Sequence, residues 1–250
     1  MVTETMSPRV RADRLLVDRG LFESRARAQA AIAAGLVTAD GAVVKKPSDA
    51  LPADALITAE PAFPWVSRGA LKLLAALEAG SIDPAGRVCL DVGASTGGFT
   101  EVLLDRGARR VYAVDVGRDQ LHAKLRADAR VLSLEATDIR TLTPDAFPEP
   151  PTFVSIDVSF VSLTKVLPVA LALAAPACDL VALAKPQFEA GRDRVKKGVV
   201  RDPAVHAEVC ETVAAFVTAQ GFDMRATLPS PITGGDGNQE FLLIARRGTP

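Results

Sequence analysis

The chain has 250 residues, of which 48% are hydrophobic, and its formal net charge at neutral pH is -1. This length allows one large domain, or a large domain with a small one. Three cysteines, Cys89, Cys178 and Cys210, lie far apart in apolar surroundings, so no disulfide framework and no metal site are predicted, which fits a reducing cytoplasm. The most apolar run, residues 166–178, has 13 residues and two prolines, so no membrane-spanning segment is predicted.

The N-terminal part of the chain, residues 9–57, has a pattern of its own. Apolar residues at helical spacing predict two short helices, the first closed by Gly20 and the second by Gly35, with Ser24 as the N-cap of the second. Alternation of apolar and polar residues on both sides of Asp40-Gly41 predicts a β-hairpin. A small α+β module is therefore expected.

Charge in this module is strongly positive. The stretch from Arg9 to Lys46 has eight basic and four acidic residues, a net charge of +4. A solvated helix face is one interpretation. However, the order R-x-D-x-x-L, G-L-F-x-S-R-x-x-A, I-x-x-G-x-V and D-G-x-V-x-K-P-S resembles the S4 RNA-binding domain. Such a domain would contact phosphates and folded RNA shape, here through Arg9, Arg11, Arg14, Arg25, Arg27, Lys45 and Lys46.

A linker is predicted over residues 59–67, A-E-P-A-F-P-W-V-S. Its two prolines favour extended backbone, and its aromatic residues are expected to pack on the following domain. A helix over residues 68–79 comes next and carries Lys72, which could equally be an exposed helix lysine. The predicted organisation is therefore a first domain over residues 1–58, the linker, and a second domain over residues 68–250.

From Val88 onward predicted strands and helices alternate along the chain, which is the pattern of a parallel α/β sheet. Seven strands are predicted: Val88 to Val92, Val111 to Val114, Val131 to Leu134, Phe153 to Asp157, Leu180 to Ala184, Met224 to Leu228 and Phe241 to Ala245. The intervening helices are predicted over Phe99 to Asp105, Gln120 to Ala127, Leu163 to Ala174 and Ala204 to Gln220.

A glycine-rich turn follows the first of these strands, in V-C-L-D-V-G-A-S-T-G-G-F-T from Val88 to Thr100. A doubly wound sheet binds its ligand at such a turn. A dinucleotide site needs glycine at the middle position of G-x-G-x-x-G, which is Ser95 here, so D-x-G-x-x-x-G favours a ligand without phosphate, such as S-adenosylmethionine. The turn also reads G-x-S-x-G, which leaves a hydrolase triad of Ser95, Asp157 and His206 as an alternative. A glycine turn without a ligand is another.

The same pattern resembles the first motif of Rossmann-like methyltransferases, and it predicts which residues contact the cofactor. Within the turn these are Asp91, Gly93, Ala94, Ser95, Gly97 and Gly98. Asp115 ends the second strand, 22 residues after Gly93, where a carboxylate can accept both ribose hydroxyls. Asp138, after the third strand, is placed to meet the adenine edge, and Asp157 completes the set. Asp115 could instead be a turn acid, and Asp138 could instead cap a helix.

Three charged residues stand at strand ends or just beside them: Asp157, Lys185 and Glu240. The topology gathers such residues over the ligand crevice. A lysine in a buried strand is unfavourable unless it is paired or functional, which makes Lys185 the strongest candidate. Lys72, on the helix before the first strand, completes a Lys, Asp, Lys, Glu set.

Several segments together resemble the TlyA family, whose members are described both as haemolysins and as ribosomal RNA 2'-O-methyltransferases. They are V-S-R-G-A-L-K-L, D-V-G-A-S-T-G-G-F-T, D-V-S-F, K-P-Q-F-E and the final glutamate. The resemblance covers about the whole chain. It implies a Rossmann-like, seven-stranded, FtsJ-like methyltransferase domain behind a small N-terminal α+β S4-like domain, dependence on S-adenosyl-L-methionine, and ribosomal RNA or ribosomal subunits as partner.

The resemblance also implies a chemistry for the tetrad. A ribose 2'-hydroxyl attacks a methyl group held on a sulfonium, and a neutral lysine amine can take the hydroxyl proton. Lys185 is then the general base, Lys72 its like-charged neighbour, and Asp157 and Glu240 orient the two amines. Burial and a second ammonium nearby favour the neutral amine, whereas the carboxylates oppose it.

A basic segment, residues 191–201, follows the fifth strand with five basic residues and one acid. It is either a solvated loop or a clamp for the RNA backbone that orders on binding, with Arg192, Arg194, Lys196 and Lys197 as RNA contacts, together with Arg68 beside the linker. Two alternatives to a methyltransferase stay open: a haemolysin-like membrane-active protein, and an RNA-binding ribosome assembly factor with a vestigial methyltransferase domain.

Overall fold

The computed structural model describes residues 7–234 and 236–248, apart from the side chain of Arg192. The chain divides into two compact units, Met1–Pro64 and Trp65–Pro250. The proposed domain bounds at residues 58 and 68 stay a prediction, and residues 1–6, 249 and 250 within them lie outside the described residues.

The first unit consists of short helices and strands. They are β1 (Arg9–Arg11), α1 (Ala12–Asp18), α2 (Arg25–Ala33), β2 (Val37–Ala39), β3 (Ala42–Val43), β4 (Ala50–Pro52) and β5 (Ile57–Ala59). Strand β1 pairs with β4, and β2 lies between β3 and β5, all antiparallel. The sequence pattern did not indicate β1, β4 or β5, because strands of three residues leave no recognisable period.

Local rules account for the ends of these elements. The Ser24 hydroxyl caps α2 by accepting a backbone N–H three residues on, as predicted. Gly20 and Gly35 follow the two helices with φ of 71° and 73°, a region that favours glycine. Asp40 and Gly41 take φ of 50° and 80°, which is the type I′ turn of a tight hairpin. The predicted hairpin is confirmed.

The second unit begins with α3 (Ala70–Ala79) and then alternates strands and helices. The elements are β6 (Val88–Val92), α4 (Gly98–Asp105), β7 (Arg110–Val114), α5 (Ala123–Arg126), β8 (Val131–Leu134), β9 (Phe153–Ile156), α6 (Leu163–Ala172), β10 (Cys178–Ala184), α7 (Pro186–Glu189), α8 (Pro203–Ala219), β11 (Asp223–Pro229) and β12 (Phe241–Arg247). All seven predicted strands are present.

These strands form one sheet in the order β11-β12-β10-β9-β6-β7-β8. Strands β10, β9, β6, β7 and β8 are parallel, whereas β12 is antiparallel to both of its neighbours. After β6 the chain forms β7 and β8 on one side of β6 and then crosses back to form β9 on its other side. The topological switch point therefore lies between the ends of β6 and β9. The predicted methyltransferase sheet with its antiparallel hairpin is confirmed.

Helices cover both faces of the sheet. Leu73 of α3 and Leu103 of α4 are buried in one cluster, and Leu167 of α6 and Val213 of α8 are buried in the other. Strand β10 is buried at every position, as expected for a central strand with helices on both faces.

The predicted helix over Gln120 to Ala127 is wrong in extent, because α5 has only four residues, Ala123–Arg126. The carboxylate of Glu135 accepts hydrogen bonds from the backbone N–H groups of Gln120 and Leu121 at 2.6 and 3.0 Å. Residue 122 then caps α5 through its imidazole Nδ1, 3.2 Å from the N of Lys124. A partner distant in sequence therefore holds the first part of the segment outside the helix.

The first predicted helix of the second unit, over residues 68–79, is also shorter than predicted, since α3 begins at Ala70.

One buried carboxylate ties together three segments at the end of the sheet opposite the switch point. Asp179 of β10 lies 2.7 Å from Arg87 Nη1 and 2.6 Å from Arg246 Nε, and its side chain is 1% exposed. Arg87 precedes β6 and Arg246 lies in β12 opposite Asp179. The ion pairs therefore fix β12 and the start of β6 to β10.

We expect Asp179→Ala to lower the free energy of unfolding by about 3 kcal/mol, because it leaves Arg87 largely buried without its counter-charge. Urea denaturation followed by circular dichroism measures this. Glu149→Ala is the matched control, because it removes a carboxylate from an exposed pair with Arg109, which contributes little to stability. Equal effects of the two substitutions would contradict the prediction.

Candidate active site

The turn after β6 brings backbone from two strands into close contact. Gly93 has φ of 85°, and a Cβ atom there would lie 2.4 Å from the carbonyl oxygen of Asp157. Ser95 takes φ of 48° without being glycine. The turn needs glycine at position 93 because the end of β9 occupies the space of a side chain.

Gly97 and Gly98 are needed for packing. A Cβ atom on Gly97 would lie 2.2 Å from Leu125 Cδ1, and one on Gly98 would lie 2.3 Å from Ser67 Oγ. Gly97 also has φ of 97° at the N-terminus of α4. These glycines let α5 and the segment before α3 approach the turn.

Asp91 lies beneath this turn, fully buried. Its carboxylate accepts hydrogen bonds from Thr100 Oγ1 at 2.7 Å and Ser155 Oγ at 3.2 Å. Burial raises the pKa of the Asp91 carboxyl to about 7, although both hydroxyls act against this shift. The side chain therefore connects β6, α4 and β9, and it lines neither of the two cavities described below.

A cavity of about 500 Å³ opens at the switch point. Of the predicted cofactor residues, its wall includes Gly93, Ser95, Asp115, Asp138 and Asp157. Apolar wall residues come from strand ends, from the segments that follow them and from α6: Val92, Val114, Val116, Ile139, Val158, Val161 and Val166. Most of the predicted set therefore surrounds one space.

The two carboxylates beyond the turn are held in different ways. Asp115 accepts hydrogen bonds from the backbone N of Ser95 at 2.8 Å and of Gly117 at 2.7 Å. Asp138 caps the turn Ile139–Thr141 and pairs with Arg140 at 2.5 Å. Asp138 therefore serves as a cap and also lines the cavity. The sequence pattern did not single out Thr137 or Gln120, which line it as well.

The four predicted catalytic side chains lie together, and one of them, Asp157, lines this cavity. Lys72 Nζ is 2.6 Å from Glu240 Oε2 and 3.3 Å from Asp157 Oδ2. Lys185 Nζ is 2.6 Å from Asp157 Oδ1. Asp157 therefore joins both lysines, in the order Glu240, Lys72, Asp157, Lys185. The side chains of Lys72, Lys185 and Glu240 are at most 10% exposed.

Ser159 is a member of the site that sequence reasoning missed. Its hydroxyl oxygen accepts a hydrogen bond from Lys185 Nζ at 2.9 Å. The contact between Lys185 and Asp157 Oδ1, although shorter, lacks the alignment of a hydrogen bond. A second cavity, of about 270 Å³, lies beside the first and is lined by Ala94, Gly98 and Lys185, with Ser159 and Asp157 belonging to both.

The hydrolase alternative lacks its geometry. The imidazole Nε2 of His206 bonds the carbonyl of Val200 at 3.0 Å, and Asp157 is paired with two lysines. Neither residue is arranged as a partner for Ser95.

In the first unit, the predicted RNA contacts are exposed except for Arg27, which is half-buried, and several of them have partners within the unit. Arg9 bonds the carbonyl of Ala50, Arg14 pairs with Asp18, and Arg27 lies over the ring of Phe63. Arg11 and Arg25 both pair with Asp13. Lys45 and Lys46 are exposed at the end of the hairpin.

The basic segment of the second unit is more ordered than expected. Lys196 and Val199 exchange backbone hydrogen bonds of 3.1 and 3.0 Å around a tight turn at Lys197 and Gly198. Lys196 and Lys197 are exposed at this turn, and Arg68 is exposed two residues before α3. Arg194 pairs with Glu208 at 2.5 Å, whereas the side chain of Arg192 lies outside the described part of the chain.

Among the helices of the described residues, none has the length and apolar character needed to cross a membrane.

Comparison with known proteins gives matches over both units. Residues 65–247 match the FtsJ-like methyltransferase family, and residues 10–57 match the S4 domain. The 16S/23S rRNA (cytidine-2'-O)-methyltransferase TlyA of Mycobacterium tuberculosis is 47% identical over 98% of this chain and 92% of that protein. Hemolysin A of Brachyspira hyodysenteriae is 37% identical over 93% of this chain and 98% of that protein. A solved structure described as a hemolysin from Streptococcus thermophilus superposes with a TM-score of 0.77, at 43% identity, over 97% of this chain and 90% of that one.

The sheet order, the glycine turn and the family matches together define a Rossmann-like methyltransferase. The chain belongs to the FtsJ-like methyltransferase family and, with its S4 domain, to the TlyA proteins within it. The predicted fold class, family and enzyme class are confirmed.

We expect the stability of the ligand-free protein to depend on the titration of Asp91. Its carboxyl has a pKa of about 7 in the folded protein and about 3.9 in an unfolded chain. Between these values the folded state holds a proton that the unfolded state has released, so stability falls as the pH rises from about 4 to 7. Relative to Asp91→Asn, the wild-type free energy of unfolding should fall by at most about 1.4 kcal/mol per pH unit in this window and level off above it.

Urea denaturation of both proteins between pH 5 and pH 8 measures this difference. A difference that stays constant with pH would mean that the carboxyl remains ionised in the folded protein.

Proposed function

We propose that the second unit binds S-adenosyl-L-methionine in the 500 Å³ cavity and transfers its methyl group to a ribose 2'-hydroxyl of ribosomal RNA. The observation that carries the proposal is the buried cluster of Lys72, Asp157, Lys185 and Glu240 beside the glycine turn. The name of the Mycobacterium tuberculosis relative supports cytidine in 16S and 23S rRNA as the target. Such a substrate is found in the cytoplasm.

The charge of the cavity wall fits this cofactor. Three of its described lining residues are carboxylates, of which Asp138 is paired with Arg140 and Asp157 with two lysines. Asp115 is held instead by the backbone N–H groups of Ser95 and Gly117, which do not neutralise it. A pyrophosphate would be repelled by Asp115, whereas a sulfonium cation would be attracted. In this proposal Asp115 accepts the ribose hydroxyls and the apolar wall near Val116 and Ile139 takes the adenine. Asp91 and Gly97 hold the turn without touching the ligand.

The mechanism requires a base beside the 2'-hydroxyl. When bound, S-adenosylmethionine would supply a methyl group bonded to a positively charged sulfur. The carbon of this methyl group is then open to attack by an oxygen nucleophile. Lys185 Nζ, in its neutral form, takes the hydroxyl proton. Lys72 contacts both carboxylates, whereas Lys185 contacts one carboxylate and the neutral hydroxyl of Ser159. Lys185 therefore loses less ion pairing when it is neutral, which favours it over Lys72 as the base.

The other members of the cluster position the base. Asp157 and Ser159 fix the orientation of the Lys185 amine, and Glu240 fixes Lys72. Lys72 contributes positive charge near the 2'-oxygen, which stabilises the negative charge that develops during attack. Correct placement of a hydroxyl against a bound methyl group supplies much of the remaining acceleration.

The first unit and the basic segment are proposed to bind the RNA. In this proposal residues 1–58 form the RNA-binding domain, residues 59–67 the linker and residues 68–250 the catalytic domain. The exposed basic side chains supply phosphate contacts, and affinity should fall with increasing salt. The RNA contacts proposed in the second unit are Arg68, Arg192, Arg194, Lys196 and Lys197.

Incubation of the purified chain with radiolabelled S-adenosylmethionine and each ribosomal subunit, followed by mapping of 2'-O-methyl groups, tests the proposal directly. Absence of incorporation, with cofactor and RNA both bound, would favour an assembly factor with a vestigial catalytic domain. The name of the Brachyspira relative raises a membrane-active function as the second candidate. Release of dye from protein-free liposomes by the purified chain would support that candidate.

We expect Lys185→Ala to lower kcat by about 10²- to 10⁴-fold while the affinities for cofactor and RNA change little, because the lost interaction is made mainly in the transition state. Lys185→Arg should be nearly as inactive, since a guanidinium keeps its proton. Single-turnover methylation and equilibrium binding measure the two effects. Lys124→Ala, at an exposed lysine paired with Glu101, is the control. Near-normal turnover of Lys185→Arg would exclude Lys185 as the base.

We also expect a chain without residues 1–58 to retain cofactor binding and to lose efficient methylation of ribosomal subunits, because the cavity residues all belong to the second unit. Calorimetric titration of S-adenosylmethionine into the shortened chain, together with methylation assays, tests this. Loss of cofactor affinity in a folded shortened chain would contradict independent units.

A further inference from the structure

An ionised acid lies at the centre of the basic first unit. Asp13, in the first turn of α1, has no exposed surface. Its Oδ1 is 3.1 Å from Arg11 Nε, and its Oδ2 is 2.7 Å from Arg25 Nη2 and 2.8 Å from Gln29 Nε2. The hydrogen bonds from Arg11 are the main reason why the pKa of Asp13 lies well below its usual range, and Arg25 and Gln29 lower it further. The carboxylate therefore carries its charge at neutral pH.

The two arginines differ from Asp13 in exposure. The side chain of Arg11 is 51% exposed and that of Arg25 is 57% exposed. Each guanidinium presents the edge formed by Nε and Nη2 to the carboxylate. This edge uses two of the five N–H donors of an arginine, so three donors of each side chain lie outside the contact.

Asp13 also joins elements that are separate in sequence. Arg11 ends β1, whereas Arg25 begins α2, where the helix dipole disfavours a positive side chain. The carboxylate offsets this unfavourable placement and fixes both guanidinium groups to one point. An arginine side chain on a surface otherwise samples many rotamers, and binding must restrict them.

On charge alone, Asp13 should weaken RNA binding, because it lowers the net charge of a module that contacts phosphates. Preorganisation predicts the reverse. Restriction of one flexible side chain on binding reduces affinity by about 2- to 12-fold. Two arginines held in place before binding avoid this loss twice, about 4- to 140-fold together, whereas one more exposed charge pair gains roughly 1.4- to 5-fold.

We propose that Asp13 is a positioning residue for RNA binding: it holds Arg11 and Arg25 in fixed orientations from which their remaining N–H groups bind phosphate oxygens of ribosomal RNA. The inference rests on the proposed RNA-binding function of the first unit.

Asp13→Asn tests the inference through the sign of its effect. It is isosteric and raises the net charge by one, yet affinity for purified ribosomal subunits should fall by about fivefold or more, measured by filter binding at about 0.15 M salt. Asp18→Asn is the matched control, because it removes an equal charge from an exposed pair with Arg14 in the same helix. Its affinity should stay the same or rise. An unchanged or higher affinity for Asp13→Asn would overturn the inference.

A double-mutant cycle separates positioning from a general effect on the fold. In a chain that carries Arg11→Ala and Arg25→Ala, Asp13→Asn should no longer reduce affinity, because no arginine remains for it to orient. A reduction that persists in this background would show that Asp13 acts through the fold and would overturn the inference. If Arg11→Ala with Arg25→Ala leaves affinity unchanged while other basic substitutions reduce it, the inference fails and the proposed function stands. If no substitution of a basic residue in the first unit reduces affinity, the proposed RNA-binding function itself fails.

Should Asp13→Asn not fold, as judged by circular dichroism, Arg11→Lys with Arg25→Lys provides the second test. These substitutions keep both charges but lose the fork that contacts the carboxylate. Affinity should fall by at least fivefold, and retained affinity would overturn the inference.

Discussion

The position of Asp157 is the constraint on which the site depends. Its backbone carbonyl approaches Gly93 so closely that position 93 has no room for a side chain, and its carboxylate pairs with both Lys72 and Lys185. One residue therefore sets the distance between the glycine turn and the amines. Because both contacts come from the end of β9, any shift of β9 relative to β6 would move the cavity wall and the cluster together.

Burial of two lysines and two carboxylates is energetically unfavourable unless each has a partner of opposite charge. The chain meets this requirement by drawing the four from distant segments: α3, the end of β9, the residue after β10 and the residue before β12. Burial also strengthens each interaction, since the effective dielectric constant is lower than in water. The same surroundings that make the cluster costly to assemble therefore strengthen the attraction between its opposite charges.

Much of this arrangement could be predicted from the sequence, because strands of a parallel sheet are buried on both faces and leave continuous apolar runs. Residues at the ends of such runs meet at one edge, which is why Asp157, Lys185 and Glu240 were found together. Ser159 belongs to the D-V-S-F segment, but its role was missed because a serine in a loop does not reveal which side chain it contacts. The extent of α5 was mispredicted because Glu135, distant in sequence, holds the N–H groups of residues 120 and 121. Asp13 is the aspartate of R-x-D-x-x-L, but its contacts with two arginines could not be predicted, since burial cannot be recognised from composition.

The placement of β12 has a consequence for how the protein is made. β12 is the last of the seven strands in chain order, yet it lies inside the sheet, between β10 and β11. Glu240 immediately precedes it. Chains leave the ribosome from the N-terminus and fold progressively, so the first unit can form while the second still lacks an interior strand. The cluster of Lys72, Asp157, Lys185 and Glu240 is then completed only by insertion of β12. Formation of the proposed RNA-binding surface is thus separated in time from formation of the proposed catalytic centre.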